Sequence, residues 1–171
     1  KFYEDVEADP YQRFEEALKA ANVTIETLKE EKVSRFIGNL NIAMGAIAGD
    51  SLYVSIAGDA EVYLARKRFI SIVSEGLAEE SGTETFVNIA NGVLEDGDSV
   101  IFSSSRLLRY ITKGDFGKIF GDQKPGFIGQ ALKDLHDFIM TEILGKSAVI
   151  GVYMREIDQE ESALESQIFD S

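Results

Sequence analysis

Two Gly-Asp pairs, Gly58-Asp59 and Gly97-Asp98, and the run Ser103-Ser104-Ser105-Arg106 are the residues of this 171-residue chain best suited to chemistry. Aspartates at strand ends can hold hard divalent cations such as Mg²⁺ or Mn²⁺. A serine hydroxyl can act as a nucleophile, but only beside a base that activates it. The chain has one histidine, His136, and no cysteine. His-pair metal sites, thiolate chemistry and disulfides are therefore excluded. His136 lies between Leu135 and Asp137 in a helical pattern and reads as a partly exposed helix residue. The plainer account of the three serines is that their hydroxyls satisfy backbone groups at a strand end. Gly58-Asp59 between two strands is also what an ordinary turn would show, and Gly97-Asp98 reads as a turn. Asp5, Glu7 and Asp9 alternate as strand ligands would, or form a solvated acidic lead-in.

The charge balance narrows the partners. Thirty acidic against 17 basic residues give a net charge of −13. That field repels a phosphate backbone unless a basic patch is segregated, and none is visible, so nucleic acid is not expected. The basic spots are short: Arg66-Lys67-Arg68, and Arg106-Leu107-Leu108-Arg109. Each is a charged turn or solvated helix face, or a grip for an acidic peptide or a phosphate. No apolar run reaches the roughly 18 to 20 residues that span a bilayer. The opening Lys1-Phe2-Tyr3-Glu4-Asp5 is neither a signal peptide nor a basic targeting segment, and its lack of Met suggests a piece of a longer protein. Cytoplasmic placement is the expectation.

The elements that must position these residues follow from periodicity. Asp9-Pro10 marks a helix start, and Phe14, Ala17, Leu18, Ala21, Ile25 and Leu28 form one apolar stripe running to about Lys32. Thr24 could cap a second segment, which leaves one long helix or a kinked one. Strands are predicted around residues 40–48, 52–56, 61–65 and 69–73, joined by short turns into an antiparallel meander. A loop covers 74–84, an extended piece 86–89, and a buried strand 99–103. Short helices are expected at 107–111 and 116–120. A long amphipathic helix opens at Pro125 and carries Phe127, Ile128, Ala131, Leu132, Leu135, Phe138, Ile139 and Ile143 on one side; Gly145 ends it. A last core strand covers 149–154. The predicted organisation is an acidic lead-in over 1–9, one domain over 10–155 and an acidic tail over 156–171. The fold class is α+β: two stacked antiparallel sheets flanked by helices.

Specific residues add a resemblance to this pattern. Leu52 to Leu64, with Gly58-Asp59 between two strands, resembles a signature of the type-2C (PPM) metal-dependent protein phosphatases. Leu94 to Phe102 is similar to the turn and strand that deliver that family's second metal motif. Leu18-Lys19-Ala20-Ala21-Asn22 matches its long-helix motif, and Ser147 to Met154 stands where its closing strand begins with Asp-Asn-x-Thr. The likeness covers roughly residues 10–155. The family's opening Asp-Gly-x-Gly-Gly segment has no counterpart, so the N-terminal part of the fold is expected to be missing or truncated.

The resemblance implies a two-metal hydrolytic centre, and the residues here depart from it. Ser104 and Ser105 precede Arg106 where the family has Thr/Ser-Asp-Gly, so Ser105 replaces the metal-binding Asp and Arg106 the Gly. Gly145 and Lys146 begin the stretch that replaces Asp-Asn-x-Thr. Asp59 is the one retained acid. Two adjacent dications need several carboxylates, and Arg106 and Lys146 bring the opposite sign. The expectation is a catalytically inactive phosphatase-like domain that binds or regulates and has no cofactor. Its partner would be a protein or phosphopeptide, contacted as an anion by Arg106 and Lys146. The alternatives are an active Mg²⁺- or Mn²⁺-dependent Ser/Thr phosphatase completed by a segment outside the chain, and a structural domain of a larger assembly.

Overall fold

A computed structural model describes residues 9–30, 40–78, 85–121, 128–142 and 150–153. The first helix, α1 (Pro10–Glu30), starts as its sequence dictates. The Asp9 carboxylate accepts from the backbone N–H groups of Tyr11 at 3.1 Å and Gln12 at 3.4 Å, and Pro10 takes the first helical position. The helix runs unbroken through Thr24. The hydroxyls of Thr24 and Thr27 donate back to the carbonyls of Ala20 and Val23, each at 2.9 Å, so neither caps a new segment.

Seven strands follow: β1 (Ile42–Ala48), β2 (Ser51–Ala57), β3 (Glu61–Arg66), β4 (Phe69–Ile72), β5 (Ala90–Val93), β6 (Ser99–Ser103) and β7 (Ile150–Tyr153). Between β6 and β7 lie a 3₁₀ turn at Leu107–Arg109 and helices α2 (Lys113–Phe120) and α3 (Ile128–Glu142). The strands form two antiparallel sheets, one ordered β1-β2-β5 and the other β4-β3-β6-β7.

This corrects the predicted four-strand meander. The hairpins β1–β2 and β3–β4 do form, but they belong to different sheets, and the chain crosses between them at Gly58-Asp59-Ala60. The reason is visible in β2, which is buried on both faces. Leu52, Val54 and Ile56 pack between the sheets, while Tyr53 and Ala57 pack toward α1. A strand with two apolar faces has to be covered on both sides.

A second correction concerns residues 86–89, predicted as an extended piece. The strand forms one step later, at Ala90–Val93. Residues 86 and 88 instead bond to side chains. The backbone of Phe86 is held by Asn22, and the carbonyl of Asn88 accepts from the Ser55 hydroxyl at 2.7 Å.

The architecture is four layers: α1, the first sheet, the second sheet, and α2 with α3. Phe14 and Leu18 of α1 seal the outer face of the first sheet against Ala46, Tyr53 and Phe86. Val62, Val100 and the partly buried Phe102 meet β2 between the sheets, where Gly45 leaves room for the Phe102 ring. On the far side Tyr63, Ile101 and Ile70 pack under Phe116, Phe120, Ala131, Leu135 and Ile139. Spacing of four along α3 sets that face, as predicted, whereas Phe138 is exposed at its edge. Leu28 is likewise exposed at the end of the α1 stripe. Pro125, Phe127, Ile143 and Gly145 lie outside the described residues, as do Asp5, Glu7 and the segment 154–171. No helix among the described residues is long and apolar enough to cross a membrane.

Asn22 is the buried polar residue that joins these layers. Its Nδ2 donates to the Phe86 carbonyl at 2.8 Å, and its Oδ1 accepts from the Phe86 N–H at 2.9 Å. Both ends of the amide are satisfied, which is what makes its burial tolerable. Asn22→Leu would strand a buried donor and a buried acceptor at Phe86. The expected loss is about 2–6 kcal/mol of unfolding free energy, at roughly 1–3 kcal/mol per orphaned group, measured by urea denaturation.

Candidate functional site

The site is built where the chain changes sheets. Gly58 has φ of +66°, and a Cβ there would collide with Asn41 Oδ1 and the Leu40 carbonyl. Asn41 Oδ1 also accepts from the Asp59 N–H at 2.8 Å, so one side chain fixes the turn that presents the acid. Antiparallel pairing then sets Glu61 of β3 opposite Ser103 of β6. The residues before β3 and those after β6 therefore emerge at the same edge of the second sheet.

After β6 the chain turns on its own hydroxyl. Ser103 is buried; its Oγ donates to the Ser105 carbonyl at 2.7 Å and accepts from the Ser105 N–H at 3.2 Å. For Ser103 these bonds are the backbone-satisfying role expected of a strand-end serine. Arg106 follows, then the 3₁₀ turn. In a 3₁₀ turn residues three apart eclipse, so Arg106 and Arg109 project on one side. Both reach Asp59. Arg106 Nη2 lies 3.0 Å from Asp59 Oδ1, and Arg109 Nη1 lies 3.6 Å from Asp59 Oδ2. All three side chains are about half exposed, at 48%, 55% and 47%, so water screens the cluster and ligands can reach it.

Beside this cluster lies a cleft of about 300 Å³. It is lined by apolar Ile56, Ala60 and Ile72 and by three charged residues, Glu61, Glu75 and Arg106. Glu61 is anchored through Tyr63. The Tyr63 hydroxyl donates to Glu61 Oε2 and accepts from the Leu107 N–H at 2.7 Å. The phenol is thus the strut between the cleft wall and the turn that carries both arginines. Burial, and then the bond to Glu61, push its pKa well above the ordinary phenol range.

Of the remaining sequence candidates, Gly97-Asp98 is structural. Buried Asp98 accepts from the Glu95 N–H at 2.8 Å and from Arg66 Nε and Nη2 at 2.9 and 2.7 Å. Arg66 also meets Glu95 at 2.7 Å and the Val93 carbonyl at 3.0 Å. This network sits at the opposite end of β3 from Asp59. His136 is exposed beside Asp137 at 3.2 Å. Gly145 and Lys146 lie outside the described residues. Sequence reasoning passed over Glu61, Tyr63 and Asn41, and it treated Arg109 only as part of a basic spot. The i, i+3 spacing of Arg106 and Arg109 was the signal for the second of the two contacts.

Neither a protein-family model nor a curated protein matches the chain. Solved structures do. A Streptococcus agalactiae serine/threonine phosphatase matches with TM-score 0.67 at 14% identity, covering 89% of this chain and 75% of that one. The Mycobacterium tuberculosis serine/threonine phosphatase PstP/Ppp matches with TM-score 0.69 at 13% identity, covering 91% and 77%. The phosphatase domain of the Bacillus subtilis cell-fate determinant SpoIIE matches at TM-score 0.52 and 13% identity, over 91% and 78%. The fold is that of the PPM-type Ser/Thr phosphatases. At these identities the likeness is one of fold.

One PPM-type relative, PstP, is solved in complex with two manganese ions. The described residues of this chain do not fit such a pair. Ser104 and Ser105 offer neutral hydroxyls, and two guanidinium groups already hold the Asp59 carboxylate. No group of three or more His, Asp or Glu side chains among the described residues could hold a metal ion.

Tyr63→Phe tests the strut. It leaves the buried Leu107 N–H without its acceptor, an expected cost of about 1–3 kcal/mol in urea denaturation. The pH dependence gives an independent readout. Above the ordinary phenol value of 10.0 the unfolded state loses the Tyr63 proton while the folded state keeps it. Protein stability is therefore unaffected by this group below pH 10 and falls as pH rises past it. Tyr63→Phe should flatten that alkaline decline.

Proposed function

We propose that this domain is a catalytically inactive, phosphatase-like binding module that recognises a phosphorylated protein segment at Arg106 and Arg109. The observation that carries this reading is the Asp59 cluster. Asp59, the one acid this reading retains from the family's metal motif, is neutralised by two protein cations at 3.0 and 3.6 Å. A dication placed there would face like charges, at a cost on the order of 4 kcal/mol for each unit-charge pair at about 4 Å under partial screening. Guanidinium forks suit a phosphate far better, since their planar donors match its oxygens two at a time.

The net charge of −13 works against casual anion binding, so affinity must come from these two local side chains. The carboxylates of Asp59 and Glu61 are placed to orient a bound segment, and no hydrolytic step is assigned to them. Ser103 supplies no nucleophile to this reading, because its hydroxyl is committed to its own turn.

Two measurements on the full chain test the proposal. Phosphopeptide binding should be detectable by fluorescence anisotropy and weaken at least about tenfold in the double variant Arg106→Gln/Arg109→Gln, as expected for losing two charge-assisted contacts. Phosphopeptide hydrolysis with manganese present should stay at the buffer rate. Binding that ignores the double variant would overturn the recognition site. Manganese-dependent turnover abolished by Asp59→Ala would instead favour an active phosphatase.

A further inference from the structure

We infer that the ligand taken at Arg106 and Arg109 is a phosphorylated peptide with a basic residue beside its phosphate, selected by an exchange of ion pairs at Asp59. This rests on the phosphate-binding reading above and deepens it. In the present structure Asp59 occupies both arginines, as an internal carboxylate standing where an external anion would bind. A phosphate that takes Arg106 and Arg109 must release that carboxylate.

The released Asp59 would not face water alone. Glu61 and Glu75 line the adjoining cleft together with Arg106. Glu61 is held in place by the Tyr63 hydroxyl, and Glu75 has no ion-pair partner among the described residues. Binding a bare phosphate therefore leaves three carboxylates near a new dianion, which is an electrostatic penalty. A ligand that brings its own cation removes the penalty. Its phosphate pairs with the arginines and its Lys or Arg with the freed carboxylates, so the two internal ion pairs of Asp59 are exchanged for external ones at both signs of charge. Apolar Ile56, Ala60 and Ile72 offer contact to the stem of such a side chain.

The test titrates the full chain with three labelled peptides at fixed ionic strength. The first has phosphoserine flanked by arginines, the second phosphoserine flanked by alanines, and the third is the unphosphorylated form of the first. The basic phosphopeptide should bind at least about tenfold more tightly than either other peptide, the gap expected when two exchanged ion pairs act together. Asp59→Asn removes the internal competitor. It should raise affinity for the alanine-flanked phosphopeptide about three- to tenfold, the range of one or two exposed ion pairs, while shrinking the advantage of the basic flank. Glu75→Gln should shrink that advantage without the gain. Asp134→Asn, on the outer face of α3, serves as the control for overall charge and should change neither.

Several results would overturn the inference. Equal effects of Asp59→Asn and Asp134→Asn would assign the preference to net charge. Phosphopeptide binding that ignores the flank would sink this inference and leave the phosphate site standing. Absence of phosphopeptide binding in every variant would sink both. Competition by O-phosphoethanolamine as strong as that of the basic phosphopeptide would move the site to a small ligand and overturn the peptide assignment.

Discussion

The passage of the chain from one sheet to the other is made at Gly58, and most of what is distinctive here depends on it. The positive φ and the contact with Asn41 allow no side chain at that position. Once the crossing is made there, β3 must start directly beneath the end of β2. Pairing with β6 then brings Ser103 opposite Glu61. An acid carried by the crossing turn and cations carried by the segment after β6 become neighbours with no further requirement. The fold thus delivers two chain segments, some 45 residues apart in sequence, to one edge, and the side chains on them decide the chemistry.

Much of this was legible in advance, for identifiable reasons. The α1 stripe, the strand at 99–103 and the buried face of α3 follow a single period each, and local pattern was enough to find them. The meander was misjudged because hairpin signals report which strands are joined and are silent about which sheet receives them. What decides is the double-sided burial of β2, a tertiary property that its run Leu52-Tyr53-Val54-Ser55-Ile56 hints at through continuous hydrophobicity. The strand at Ala90–Val93 was missed because its residues, Ala-Asn-Gly-Val, have poor strand propensity. It exists because β2 has an unpaired edge to offer. Asn22 and Tyr63 were invisible as connectors, since each bonds to a backbone group 64 or 44 positions away.

At the site itself, the positive charge at Arg106 could be read from the sequence, but its pairing could not. Arg106 was expected to point at an empty anion site. The structure instead gives it an internal partner, shared with Arg109. An acidic chain has few cations to place, and these two sit on Asp59. Each arginine offsets part of the carboxylate's charge, and water screens the rest.

The Arg66 network at the other end of β3 carries a mechanical implication. Arg66 belongs to the second sheet, yet it donates to the Val93 carbonyl of the first and grips Asp98 and Glu95 on the segment between them. The two sheets are thus riveted together at that end by charged hydrogen bonds. At the Asp59 end of β3 the chain crosses between the sheets at Gly58-Asp59-Ala60. Removing the Arg66 guanidinium would leave the buried Asp98 carboxylate without its cation and the Val93 carbonyl without its side-chain donor at the seam between the sheets.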